Sequence, residues 1–250
     1  MPKPCPTPTP QVYLELQQAF DHFNRTLYDN TLPSCLITLT QKKRSRGYFA
    51  ADRYVHANGQ VVHELAMNAR YFAPQPIEQT LSTLVHEMSH LWQHEFGTPG
   101  RRGYHNREWA EHLKSIGLHP SHTGEIGGRE VGEQMTHYLL PEGRYLVACR
   151  ALLSEDFQLH WFDRLLPQIR AAAPASSATP GEVTTPPLDL SPPPTLPEGS
   201  LHVPETTDRS NRQKYTCPTC ASSIWGRPRL RAACVDCGQP FVPVSLHAGS

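Results

Sequence analysis

An α+β fold with a small metal-stabilised appendage is what this sequence predicts, on three observations. Helical periodicity near the N-terminus gives way to three short β-rich runs and then to further helices. Residues 171–210 are rich in Pro, Ala, Ser and Thr, and two C-x-x-C pairs stand close together near the C-terminus. With 250 residues, 25 of them proline, and a hydrophobic share of 38%, the chain has room for one ordinary domain and a small appendage, but not for a uniform globule. The expected division is a main domain over 10–170, a disordered linker over 171–210 and a four-cysteine ribbon over 211–247.

The elements follow in order. Thr9 and Pro10 make an N-cap and first-turn pair, and Val12, Leu16, Ala19, Phe20, Phe23 and Leu27 then recur at helical spacing up to about Tyr28–Asn30. The runs 35–40, 47–55 and 61–68 read as strands, with Asn58-Gly59 favouring a hairpin turn between the last two. Pro74 and Pro76 open a second helix whose apolar face is Leu81, Leu84, Val85, Met88, Leu91 and Trp92, with Gly97 as its stop. A third helix is capped by Asn106, buries Trp109, Leu113 and Ile116, and stops at Gly117. A glycine-rich stretch covers 123–132, and helical patterns are expected to return from about Glu133 to Ile169. Between 171 and 204 there is no lysine or arginine and little large apolar surface, so ordering entropy should win there.

Formal net charge is zero, which removes any whole-molecule argument for a nucleic-acid or membrane partner and leaves only local ones. No apolar run approaches the ~18 residues of a membrane span, and the Pro-rich start lacks the apolar segment of a secretory signal. Cys5, Cys35 and Cys149 are scattered singly. These features give the expectation of a cytoplasmic, monomeric protein with no membrane partner.

His86-Glu87-Met88-Ser89-His90 lies inside the second helix. The i, i+4 spacing stacks two imidazoles on one face about one turn apart, where both nitrogens can reach one zinc at roughly 2.0–2.1 Å. Glu87 projects beside them as the candidate general base. A catalytic zinc needs a third protein donor. His105 leads, because it follows a glycine-containing loop and precedes a helix; Glu108 and Glu111 rival it as helix-borne carboxylates, and His94 extends the ladder of the second helix.

The run from Thr80 to Gly117, with HEMSHLWQHEFG, the Gly103-Tyr104-His105 element and the Trp109 helix, resembles the SprT-like zinc metallopeptidase family, that of the Spartan-related proteases. Arg46-Gly47-Tyr48-Phe49, the strand Glu64–Asn68 and the stretch from Thr123-Gly124-Glu125 to His137-Tyr138 resemble it as well. The resemblance covers about 10–150 plus the C-terminal ribbon. It implies a minimal zincin-like core of helices packed on a small sheet, a histidine third ligand at His105, and peptidase activity linked to nucleic acid. Tyr104, His137 and Tyr138 stand as oxyanion donors without an assignment.

Cys217, Cys220, Cys234 and Cys237 have the spacing of a four-cysteine structural zinc, so two zinc sites are expected, one catalytic and one structural. Lys214, Trp225, Arg227, Arg229 and Arg231 would offer phosphate contacts and base stacking, with Tyr215 and Phe241 nearby. The run Lys42, Lys43, Arg44 and Arg46 joins two strands and reads first as a solvated turn, second as part of a nucleic-acid surface.

Three functions compete. The leading one is a zinc endopeptidase that acts on DNA-associated proteins, extending to proteolysis of DNA–protein crosslinks, with DNA held by the ribbon and basic loops. The others are a non-enzymatic zinc protein that binds nucleic acid or transcription components, and a peptidase with one dedicated protein substrate. An intact Glu87 favours an enzyme, since a purely structural metal site has no use for a base.

Overall fold

A computed structural model describes residues 7–165, 188–198, 200 and 213–244. The chain divides into two compact units, residues 1–202 and 203–250.

In the first unit, helix α1 (Pro8–Leu27) begins two residues before the expected Thr9-Pro10 start, with Thr7 at the N-cap position and Pro8 in the first turn, where a missing N–H costs nothing. Strands β1 (Leu36–Leu39), β2 (Gly47–Val55) and β3 (Val61–Met67) form a sheet in the order β1-β3-β2, with β1 parallel and β2 antiparallel to the central β3. The hairpin between β2 and β3 carries a register shift between Ala50 and Tyr54. Helix α2 (Ile77–Phe96) packs across β2 and β3 on one side and against α1, α3 (Arg107–Ser115) and α4 (Arg144–Ser154) on the others.

That central position explains the width of its apolar face. Leu81, Leu84, Val85, Met88 and Leu91 are fully buried, against Leu16 and Phe23 of α1, Leu65 and Met67 of β3, Trp109 and Leu113 of α3, and Tyr145 and Leu152 of α4. Each such side chain contributes ~1.5–3 kcal/mol by leaving water, so α2 is fixed by its surroundings more than by propensity.

Asn106 caps α3 as expected, its side chain accepting from the Trp109 N–H at 3.1 Å, and Gly117 terminates it with φ 97. Gly97 stops α2 for another reason. Its backbone is extended (φ −122), and a Cβ there would lie 2.5 Å from Glu108 Oε2. Glycine at 97 lets the Glu108 carboxylate close the end of α2.

Two expectations are corrected. The stretch from Glu133 onward is not continuously helical: Thr136–Leu139 is strand β5, paired antiparallel with β4 (Leu118–Ser121), and only Arg144–Ser154 is helix. Gly117, Gly143 and the bulk of Thr136 and Tyr138 favour a tight connection and a short strand pair over one long helix. Residues 166–169 lie outside the described residues.

The second correction concerns the linker. Leu188 and Leu190 pack on the first unit's core, and Ser191 donates from its backbone N and its Oγ to Glu78 Oε1, at 2.9 and 2.7 Å. Glu78 is buried, and these donors satisfy its Oε1, while among the described residues its buried Oε2 has no hydrogen-bond partner. Residues 171–187 lie outside the described residues.

In the second unit, β6 (Gln213–Thr216), β7 (Ser223–Gly226) and β8 (Val242–Pro243) form a sheet in the order β7-β6-β8. The hairpin β6–β7 encloses the first cysteine pair.

Candidate metal centre

Helix α2 projects His86, Glu87 and His90 from the edge of its buried face into a cleft of about 830 Å³. His86 and Glu87 are 7% and 6% exposed, so the pair is not a solvated helix surface. The loop before α3 brings His105 to the same point. His90 Nε2 and His105 Nε2 lie 3.1 Å apart, and one nitrogen from each of His86, His90 and His105 falls within 4.8 Å of the others.

The three rings share one support. Trp109, fully buried on α3, stacks on His90 at 5.1 Å and 16° and meets His86 and His105 edge-on at 4.8 and 4.4 Å. A rigid aromatic plate behind three imidazoles limits their rotation. His105 is tied further by an isolated antiparallel bridge to Gly132, whose carbonyl accepts from His105 N at 2.8 Å and from its Nδ1 at 3.1 Å. An Nδ1–H donated to a carbonyl leaves the Nε2 lone pair free, the tautomer a metal requires.

Electrostatics agree with a cation site. Burial holds His86 well below its ordinary value, with neighbouring imidazoles adding to the effect, and lowers His90 to about 3 and His105 more modestly. All three rings are therefore neutral near pH 7, with lone pairs available. Three neutral imidazoles with one nitrogen each within 4.8 Å of the others form a donor set that fits a divalent metal. Glu87 is pushed up to about 8 by burial, opposed by the Phe49 backbone N–H and the Lys42 charge. A dication in the triad would favour its ionised form.

The rivals for third ligand are engaged elsewhere. Glu108 Oε2 accepts from Thr98 N and Gln93 Nε2, each at 2.7 Å. Glu111 pairs with Arg107 at 2.9 Å on the exposed face of α3. His94 turns towards His63, its ring 5.0 Å away. Tyr104 and His137 line the cleft, whereas Tyr138 stacks on His119 at 4.7 Å and 13° outside it. Arg44, Arg46, Arg101 and Arg102 also line the cleft, and Arg101 pairs with Glu133 at 2.6 Å. The basic turn is thus part of the cleft wall.

Sequence reasoning missed the supports: Gly132 behind His105, His137 beside His86, and Gly47 beside Glu87. A Cβ at Gly47 would sit 2.8 Å from the Ala66 carbonyl oxygen and 3.2 Å from Glu87 Cγ and Oε1. The motif Arg46-Gly47-Tyr48-Phe49 signalled the position but not the reason.

In the ribbon unit, the sulfur atoms of Cys217, Cys220, Cys234 and Cys237 lie within 4.8 Å of one another. Each pair is folded into the same turn. Ala221 N donates to Cys217 O at 3.0 Å and Gly238 N to Cys234 O at 2.8 Å, with φ 59 at Ala221 and φ 63 at Gly238. Contacts with the Ser222 hydroxyl and backbone lower the Cys220 thiol to about 6, while a hydrogen bond with Cys220 pushes the Cys237 thiol up to about 12, so it is the convergence of the four sulfurs and not their titration that points to a metal. Four convergent sulfurs match a tetrahedral zinc.

Lys214 and Trp225 face each other across β6 and β7, and Trp225, Arg227, Arg229 and Arg231 are all exposed. Tyr215 is corrected as a stacking surface: it is buried, its hydroxyl donating to Arg227 O at 2.8 Å and accepting from Leu230 N at 3.0 Å. It shapes the arginine loop from beneath. Arg212 lies outside the described residues. Among the described residues no helix is long and apolar enough to cross a membrane.

An α+β domain thus brings three histidines that could hold a metal ion, and a buried glutamate, to one cleft. The SprT-like family profile matches residues 16–127. A Salmonella typhimurium relative, described as an uncharacterized protein in the mucB 3' region, is 49% identical over 59 residues, covering 23% of this chain and 80% of that protein. No solved structure matches the chain. The chain belongs to the SprT-like family, which is metallopeptidase-related.

Proposed function

We propose that this protein is a zinc-dependent endopeptidase that acts on DNA-associated proteins. One observation carries the peptidase reading: Glu87 is buried beside three convergent neutral imidazoles at an open cleft, so a base stands next to a cation site that a substrate can reach. His86, His90 and His105 would hold the zinc. When bound, zinc supplies Lewis acidity that activates water and polarises a peptide carbonyl. Glu87 accepts the proton released as water attacks the scissile carbon, and is placed to return it to the leaving amine. Phe49 and Tyr104 are among the residues that line the cleft beside Glu87.

The DNA part of the reading rests on the exposed Lys214–Trp225 pair and the arginine loop of the ribbon, together with Arg44, Arg46, Arg101 and Arg102 at the cleft. The ribbon's four sulfurs would hold the second zinc. Cleavage of one protein substrate, free and bound to DNA, tests it. The wild-type chain should cleave the DNA-bound form faster, and Trp225→Ala combined with Arg227→Ala should remove that preference while leaving cleavage of the free form intact. Equal rates on the two forms for both chains would move the reading to a peptidase with a dedicated protein substrate.

A further inference from the structure

We propose that His137 is a positioning residue that holds His86 in the tautomer with a bare Nε2, ready for the metal; this rests on the reading of the histidine triad as a metal site. His137 is not one of the three converging ligands. It reaches His86 from β5, a segment beyond the stretch the family profile matches. Its Nδ1 lies 3.2 Å from His86 Nδ1, and its Nε2 lies 2.8 Å from Ser82 Oγ. Ser82 is fully buried on α2, one helical turn before His86, so the His137 ring bridges two positions of one helix face.

The direction of the hydrogen bonds is set from the far end. The Gln79 carbonyl can only accept, and Ser82 Oγ donates to it at 2.9 Å. Ser82 has then spent its one hydrogen and accepts from His137 Nε2–H. A neutral His137 protonated at Nε2 has its lone pair on Nδ1, and the atom facing that lone pair is His86 Nδ1, which must carry the hydrogen. His86 Nε2 is left bare.

The same logic operates at His105, where the Gly132 carbonyl fixes Nδ1–H. The segment from Gly132 to His137 therefore fixes the tautomers of two of the three ligands. An imidazole does at His86 what a carbonyl does at His105, and its role is acceptance of one hydrogen bond rather than coordination.

The test uses the full chain with its ribbon zinc as an internal reference. Two-bond ¹H–¹⁵N correlations on the zinc-loaded wild type should show His86 protonated at Nδ1 and ligating through Nε2. Zinc binding at buffered free concentrations, read by native mass spectrometry, should show the histidine-site ion bound ~10–100-fold more weakly in His137→Leu. His137→Asn should restore affinity to within a few-fold of wild type, because its amide oxygen occupies the Nδ1 position and accepts the same hydrogen. Ligation of His86 through Nδ1, wild-type affinity in His137→Leu, or equal loss in Asn and Leu variants that remain folded would overturn the inference. If His137→Leu does not fold, the wild-type tautomer and His137→Asn decide the matter. A wild type that takes up only the ribbon's ion would instead remove the metal-site reading, a result distinct from those three.

Discussion

His90 Nε2 lies 3.1 Å from His105 Nε2, although fifteen residues and a glycine-containing loop separate them in the chain. The loop returns because α3 docks Trp109 behind both rings and Gly132 pins His105 from the other side. His105→Ala is expected to remove the histidine-site zinc while leaving the ribbon's, so metal analysis should fall from two ions per chain to one. Glu108→Ala should keep both ions and lower stability by ~1.5–3 kcal/mol, the scale for a charge-assisted hydrogen bond, because Thr98 N and Gln93 Nε2 lose their acceptor. The reverse pattern would make the site a glutamate-ligand one.

Gly47→Ala should impair the protein although residue 47 is not itself a proposed metal ligand. The new methyl meets the backbone oxygen of Ala66 at 2.8 Å, which cannot swing away, and Glu87 at 3.2 Å, which can only move by leaving its place. A loss of ~1–3 kcal/mol is expected from overpacking, together with a fall in hydrolysis larger than that seen for Gly59→Ala, where nothing lies within 4 Å and only the φ of 92 resists. Thermal melts and turnover on the two variants provide the comparison.

A pH dependence follows from His112. Its ring stacks on Trp92 at 3.6 Å and 4°, its Nε2 is buried without a hydrogen-bond partner among the described residues, and burial, with the Arg144 charge, lowers it from 6.5 to about 4 against the opposing pull of Glu108. Above pH 6.5 both folded and unfolded chains carry it neutral. Between pH 6.5 and 4 the unfolded chain takes up a proton that the folded chain refuses, so stability is lost as pH falls through that window. His112→Phe keeps a ring on Trp92 and removes the titration. The fall in melting temperature from pH 7 to pH 5 should be smaller for the variant; parallel curves would contradict the assignment.

Much of this was legible in the sequence, for physical reasons that differ by element. The α2 face read clearly because Leu81, Leu84, Val85, Met88 and Leu91 repeat at helical spacing, and His86, Glu87 and His90 occupy one edge of the same helix. Asn106 and Gly117 marked the ends of α3 through cap chemistry local to the chain. The pairing of β4 with β5 was not legible. Four-residue strands carry too little periodicity, and the partners of Leu118–Ser121 are chosen by tertiary packing. For the same reason Gly132 and His137 could not be placed against His105 and His86: a backbone carbonyl and an imidazole brought in from 27 and 51 residues away leave no spacing signal. Leu188, Leu190 and Ser191 were read as linker because composition has no way to report that Glu78 needs a donor.

Glu87→Gln tests the central claim most directly. The amide keeps the shape of the buried carboxylate and removes its basicity, so the chain should retain both zinc ions and its melting behaviour. Hydrolysis of an unstructured protein substrate by the zinc-loaded variant should then fall at least ~100-fold, the scale for losing a general base. Cleavage at the wild-type rate by the purified, zinc-loaded Glu87→Gln chain would contradict the account.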